Sequence, residues 1–233
     1  MTISFVHLRV HTDYSLVDGV VRVKELVKAC AAQPMPAVAV TDDSNLFGLV
    51  KFYRAAQGAG IKPLIGADLW LESELIEEPA RITAMVQTNE GYANLIELIS
   101  RGWQTNQRRG RALIKREWLD ELHQGLIFLS AARHGEIGQL LMADKLAEAG
   151  RLAGHFQRLL GNRFYLEVMR TGRHGDEAVV HGSVALATEF GIPVVATNDV
   201  RFVTPEDFEA HEARVCIHDG STLDDPRRPR RYS

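Results

Sequence analysis

Short apolar runs alternate with amphipathic helical patterns from one end of this chain to the other, and that alternation most limits what it can fold into. Phe5–Val10 reads as a strand, after which Val23, Leu26, Val27, Cys30 and Ala31 recur at the spacing of one helix face. Ala37–Thr41 reads as a second strand ending in the polar turn Asp42-Asp43-Ser44-Asn45. Leu46, Leu49, Val50 and Tyr53 then mark a helix that Gly58 and Gly60 close. Leu64–Trp70 and Ile82–Val86 continue the strands, and Tyr92, Leu95, Ile96 and Ile99 outline the next helix. In the second half, Leu126–Ser130, Phe164–Val168 and Pro193–Ala196 read as strands. Ile137–Leu160, with a break near Asp144 or Gly150, and Glu177–Phe190 read as helices. Thr204-Pro205-Glu206-Asp207 combines an N-cap, proline at the first helical position and acid in the first turn, so a helix is expected to run to about Ile217. The pattern predicts an α/β domain with a parallel sheet, open or closed into a barrel. No glycine-rich dinucleotide or P-loop pattern follows the first strand, which argues against a nucleotide-binding Rossmann unit.

With 233 residues, 45% of them hydrophobic, the chain can bury one barrel-sized core. A formal net charge of −3 gives no overall basic field, although Gln107–Arg111 and Arg227–Arg231 are locally basic. Both segments read as solvated loops, with direct DNA contact as the competing reading. Cys30 and Cys216 lack metal-type spacing, and Cys30 lies on the apolar face of a helix, as a buried thiol would. The start has no signal-peptide pattern, and no apolar run approaches the roughly 20 residues that span a bilayer. A soluble, cytoplasmic protein with no membrane partner is expected.

In parallel α/β folds, functional groups gather at the C-terminal ends of strands. His7, Arg9 and His11 alternate along the first strand and so share a face. Asp13 and Asp18 follow in the next loop, Asp42 and Asp43 end the second strand, and Asp68, Glu167 and Asn198-Asp199 lie near the ends of later ones. Histidines and carboxylates at one barrel mouth are the donor types of a hydrolytic metal site. Taken singly, each has a structural explanation: His7 as a hydrogen-bonded core histidine, the Asp pairs as turn formers.

The order of motifs carries a resemblance. Phe5-Val6-His7-Leu8-Arg9-Val10-His11-Thr12, with Tyr14-Ser15-Leu16-Val17-Asp18-Gly19, resembles the opening of the alpha subunits of bacterial DNA polymerase III, the C-family replicative polymerases. Ala39-Val40-Thr41-Asp42, Asn45-Leu46-Phe47-Gly48, the run Gly60–Asp68, Asn89–Leu95, Val195–Phe202 and Ala210-His211-Glu212 continue the match in order. The region matched is the PHP (polymerase and histidinol phosphatase) domain. The resemblance implies a distorted (β/α)7 barrel of PHP type, a single domain over residues 1–218. Residues 219–233 would then link to a polymerase region, since nothing like the catalytic aspartates of C-family polymerases occurs before Ser233.

Active members of that family hold metals and hydrolyse phosphoesters. Carried over by residue, the resemblance keeps His7, Asp18 and Asp199 and places Asp43 where a histidine is expected and Asp68 where a glutamate is. Arg9, Arg81 and Arg201 stand at three expected histidines. The remaining expected ligands align with Ala132 and, loosely, Thr171. Guanidinium cannot donate a lone pair to a metal but can neutralise a carboxylate. The expectation is therefore a degenerate metal site with vestigial positions His7, Asp18, Asp43, Asp68 and Asp199, an ionic network through Arg9, Arg81 and Arg201, and no catalytic residue or cofactor. The resemblance further implies a scaffold that contacts the polymerase region of the same chain and the epsilon proofreading exonuclease subunit, and meets DNA through the full holoenzyme. The alternative is a residual phosphoesterase, a pyrophosphatase or 3′-5′ exonuclease, using Mn, Zn or Mg.

Overall fold

The computed structural model describes residues 5–228. Its strands are β1 (Ala37–Asp43), β2 (Lys62–Leu71), β3 (Ala80–Val86), β4 (Gln107–Arg108), β5 (Arg111–Ile114), β6 (Leu126–Leu129), β7 (Phe164–Val168) and β8 (Val194–Ala196). The α-helices are α1 (Val23–Ala32), α2 (Leu49–Gly58), α3 (Asn89–Thr105), α4 (Arg116–Leu122), α5 (Glu136–Met142), α6 (Leu146–Leu160), α7 (Asp176–Phe190) and α8 (Phe208–Asp219). Along the sheet the order is β4-β5-β2-β3-β6-β7-β8, with β1 also paired to β2.

Besides the antiparallel pairing of β4 with β5, two features depart from an all-parallel ladder. β3 runs antiparallel to both neighbours, β2 and β6. Residues 72–79 join β2 to β3 without a helix, and a short link of that kind can only return the chain antiparallel, because a parallel partner needs a crossover. The second departure is the first segment, expected as the strand Phe5–Val10, which forms no regular strand. Its backbone bonds on both sides: Ala39 N–H donates to His7 O, Thr41 N–H to Val10 O, and His11 N–H to Val200 O. The Val10 amide, however, donates to the hydroxyl of Thr41, so a side chain takes the place of a ladder carbonyl. A single parallel bridge, Val10 to Val200, is left. The regular sheet is thus not closed, and this irregular segment spans from β1 to the stretch after β8.

Helix patterning is close to the sequence reading, with local differences. Leu46 lies before α2, which starts at Leu49. The 137–160 pattern breaks at Asp144, whose φ of 58° is left-handed and separates α5 from α6. At Thr204 the capping box forms, but the first turn is 3-10 and the α-helix begins at Phe208. The basic stretch read as a loop at Gln107–Arg111 is instead the β4–β5 hairpin, and α4 was not read from the sequence at all. The part of the second basic segment beyond Arg228 lies outside the described residues.

The largest apolar cluster joins Leu69, Leu71 and Ile82 of the central strands to Leu95 and Leu98 of α3 and to Phe156, which stacks on Phe164 with centroids 4.9 Å apart. A second cluster packs Val10 against Val23, Leu26, Val38 and Phe52, and Cys30 is a free thiol within it. Close packing of backbone on backbone sets one sharp requirement. A Cβ at Gly91, in the first turn of α3, would meet the carbonyl oxygen of Gly125 at 1.8 Å. Gly91→Ala is therefore expected to lower unfolding free energy by about 1–3 kcal/mol or more, since overpacking against backbone cannot relax cheaply. Gly58→Ala, where nothing lies within 4 Å, is expected to be neutral or to stabilise by up to about 1 kcal/mol. Urea titrations of the two variants check this opposition of sign.

Candidate functional site

Inside the ring, polar side chains replace the usual apolar filling. Arg9 and His11, two residues apart on the irregular first segment, both point inward and are fully buried. Val10 between them faces the second apolar cluster. Asp68 of β2, Thr83 of β3 and Glu167 of β7 are likewise fully buried.

Asp68 collects three donors. Arg9 Nε donates to its Oδ2 at 2.8 Å, with Arg9 Nη2 also at 2.7 Å, and His11 Nε2 faces the same oxygen at 2.8 Å. Thr83 Oγ1 donates to Oδ1. Arg201 forms the second centre. Its Nη1 pairs with Asp18, and its Nε and Nη2 reach Asp199 Oδ1 at 2.9 and 2.8 Å. Arg201 Nη1 also faces His11 Nδ1, so His11 lies between the two ion-pair groups. At the mouth, Arg81 Nη2 donates to Asp43 Oδ2 at 2.8 Å while its guanidinium lies over Trp70, 3.8 Å from the ring centroid.

Electrostatics follow from this pairing. Burial by itself would raise the pKa of Asp68, but Arg9 and His11 hold it well below the usual carboxylate range. Burial is likewise overcome at Asp18 by Arg201 and His11, and at Asp199 by Arg201 and Arg9. Glu167 behaves oppositely: burial pushes its pKa up despite Arg9 and a hydrogen bond from Thr197. Burial also raises Asp42, which accepts from Thr12 N–H at 2.6 Å and Ser15 Oγ at 2.8 Å and so ties the first segment to β1.

Not every position read from the sequence joins this cluster. His7 makes no hydrogen bond or ion pair to a carboxylate among the described contacts; it packs edge-on against Phe5, with centroids 4.9 Å apart. Asp18, Asp68 and Asp199 come together around Arg9 and Arg201, and Asp43 sits with Arg81. Sequence reading placed His11 and Glu167 among the polar residues of the strands but gave them no role in the site. It missed His134, whose Nε2 lies 3.7 Å from Asp199 Oδ2. Burial and the nearby arginines push the pKa of His134 down to about 3, which leaves it neutral at pH 7. His11 shares the two-residue period of Arg9 and was open to inference. His134 sits after β6 in the 3-10 turn Ala132–His134, where the resemblance set an expected ligand against Ala132, so a histidine two residues further on was open to inference.

Above the network opens a cleft of about 1110 Å³, with Asp18, Asp43, Arg81, His134 and Arg201 in its lining. Guanidinium groups lie on Asp18, Asp43, Asp68 and Asp199, and among the described residues no three His, Cys, Asp or Glu side chains are grouped to hold a metal.

The family model of the PHP domain matches residues 7–171 of this α/β ring, whose carboxylates point inward beneath a polar cleft. The chain belongs to the PHP domain family. It is 57% identical over its whole length to DNA polymerase III subunit alpha of Pseudomonas aeruginosa. Over 98% of the chain it is 49% identical to that of Escherichia coli K12. The chain spans about a fifth of the length of these relatives. Among solved structures, an amidohydrolase from Chromobacterium violaceum with bound sulfate and no metal shares the fold, with TM-score 0.56, 14% identity, and coverage of 90% of this chain and 96% of that one. A two-domain protein from Bacteroides vulgatus containing a predicted PHP-like metal-dependent phosphoesterase aligns with TM-score 0.53 and 12% identity, over 84% of this chain and 52% of that one.

Removing Arg201 would leave two buried carboxylates without their main counter-charge. Arg201→Ala is expected to cost about 3–5 kcal/mol of stability, measured by denaturant unfolding at pH 7. The depressed pKa values also fix the sign of the acid response. The three aspartates stabilise the fold above their unfolded value of about 3.9, and that contribution is lost as pH falls through their folded values. Glu167 and Asp42 partly oppose the loss, because the folded state binds their protons more tightly. Unfolding free energy measured against pH is expected to fall below about pH 4. In Arg201→Ala the fall should be smaller, because Asp18 and Asp199 lose the counter-charge that holds their folded pKa values down.

Proposed function

We propose that this chain is a non-catalytic PHP domain serving as a structural part of a replicative polymerase alpha subunit. The observation that carries the reading is the placement of Arg9 and Arg201 on Asp68, Asp18 and Asp199, where a hydrolytic site would need free donors. A guanidinium supplies positive charge and fixed hydrogen bonds but no Lewis acidity and no activated water. In this reading the arginines take over the structural task of metal ions, and His7, Asp18, Asp43, Asp68 and Asp199 are vestigial ligand positions. Residues 219–233 lead from the domain toward the polymerase region. Nucleotidyl transfer belongs to the parts of the relatives that this chain does not cover. The protein partners are that polymerase region and the epsilon proofreading exonuclease, with DNA met through the assembled holoenzyme in the cytoplasm.

One observation favours a second reading, a residual phosphoesterase: Asp199 Oδ2, Glu167 Oε2 and His134 Nε2 are buried without hydrogen-bond partners. Elemental mass spectrometry of the chain after exposure to Mn²⁺ and Zn²⁺ and chelator-free dialysis separates the two. The expected stoichiometry is near zero; one or more tightly held ions per chain would overturn the scaffold reading and call for phosphoesterase assays. Docking is tested separately by size-exclusion chromatography with epsilon, where a co-eluting complex is expected and independent elution would remove that role.

A further inference from the structure

The β4–β5 hairpin is not used by the scaffold reading. Gln107 pairs with Ala112 and Arg108 with Arg111, leaving Arg109 and Gly110 as a two-residue turn with φ of 51° and 75°. Turns that need positive φ at both central residues favour Asn-Gly or Asp-Gly, because short polar side chains tolerate the left-handed backbone. Arginine gains nothing locally at the first of these positions. Its side chain is 78% exposed, and its ion-pair partner Glu78 stands 3.9 Å away. The tip therefore presents a cation against its own conformational preference, an outlier that points to a function for the charge.

Behind the tip the positive lining continues. Gly110 and Arg111 form part of the cleft wall, and Arg111 lies over Trp70, 4.4 Å from the ring centroid. Arg81, Arg111, Arg133, Arg173 and Arg201 line the cleft, against the carboxylates of Asp18 and Asp43. Those two carboxylates are paired to Arg201 and Arg81, and Arg133 is paired to Asp176, so Arg111 and the tip residue Arg109 carry the positive face of this wall. Arg108 instead lines a separate groove with Glu72, Glu74 and Glu77. The cationic excess is local, since the whole chain carries a net charge of −3. Trp103, 37% exposed, adds an indole to the same lining.

We propose that the hairpin tip and the cleft wall behind it form a contact surface for the phosphate backbone of a single nucleic-acid strand. Guanidinium groups match phosphate geometry, and an indole beside a cationic groove offers a stacking face that an acidic peptide would not use. Arg109 meets the strand outside the cleft, and Arg111 guides it along the wall. This surface is independent of whether the buried network binds metal.

The test is fluorescence anisotropy of a labelled oligo-dT with the full 233-residue chain across a salt series. Affinity should fall linearly with salt on logarithmic axes, and Arg109→Asn should weaken binding and flatten the slope by about 0.7, the loss of one phosphate contact to a single strand. Because asparagine suits the turn, the same variant should keep or raise its melting temperature, so weaker binding cannot be laid to misfolding. No binding at low salt, or an Arg109→Asn variant with unchanged affinity and slope, would overturn the proposal. So would polyglutamate competing as well as the oligonucleotide, which would assign the surface to acidic polypeptides. A duplex of equal length competing better than the single strand would overturn the strand assignment.

Discussion

A carboxylate withdrawn from water must either meet a positive charge or give up its own, and the interior of this domain is organised around that choice. Asp18, Asp68 and Asp199 are each buried to within a few per cent, and each lies on a guanidinium. Burial alone would raise all three pKa values; the arginines outweigh it and keep the groups ionised. Glu167 is the contrasting case. It has a threonine hydroxyl for a partner, with Arg9 acting on it only through the field, and there burial wins. Two carboxyl environments thus coexist in one ring, separated by whether an arginine reaches them.

The same network explains why the first segment is not a regular strand yet closes the architecture. It carries Arg9 and His11 inward and Val10 into an apolar cluster on the other side. It hydrogen-bonds β1 through His7 and Val10 and the stretch after β8 through Val200. The Asp42 carboxylate, accepting from Thr12 and Ser15, fixes the turn that follows. Loss of ladder regularity at Val10 is offset by the ion pair that Arg9 brings to Asp68 and by the contacts of His11 with both ion-pair groups. Packing, backbone pairing and charge neutralisation therefore rest on the same few residues.

Much of the architecture was legible in the sequence because it is written in local periods. The short apolar runs that became β1, β2 and β7 and the helical spacing of α1 and α3 are set by which residues each element buries. The polar set was legible for the same reason, since period and strand ends put Arg9, Asp68 and Asp199 where they could converge. The antiparallel course of β3 had only the missing helix in residues 72–79 as its signal. The β4–β5 hairpin hid behind an arginine in a position where asparagine is the usual mark.

The sequence by itself determined the alternation of strands and helices, the polar first segment and the arginines at positions 9, 81 and 201. All of these are properties of residue identity and near-neighbour spacing. Only the tertiary structure decided which arginine meets which carboxylate: Arg9 with Asp68 across 59 positions, Arg201 with Asp18 across 183. It also set His7 apart from the cluster and brought in His134. Such pairings follow from how strands register around a ring and how deeply each group is buried, and local spacing carries no information on either.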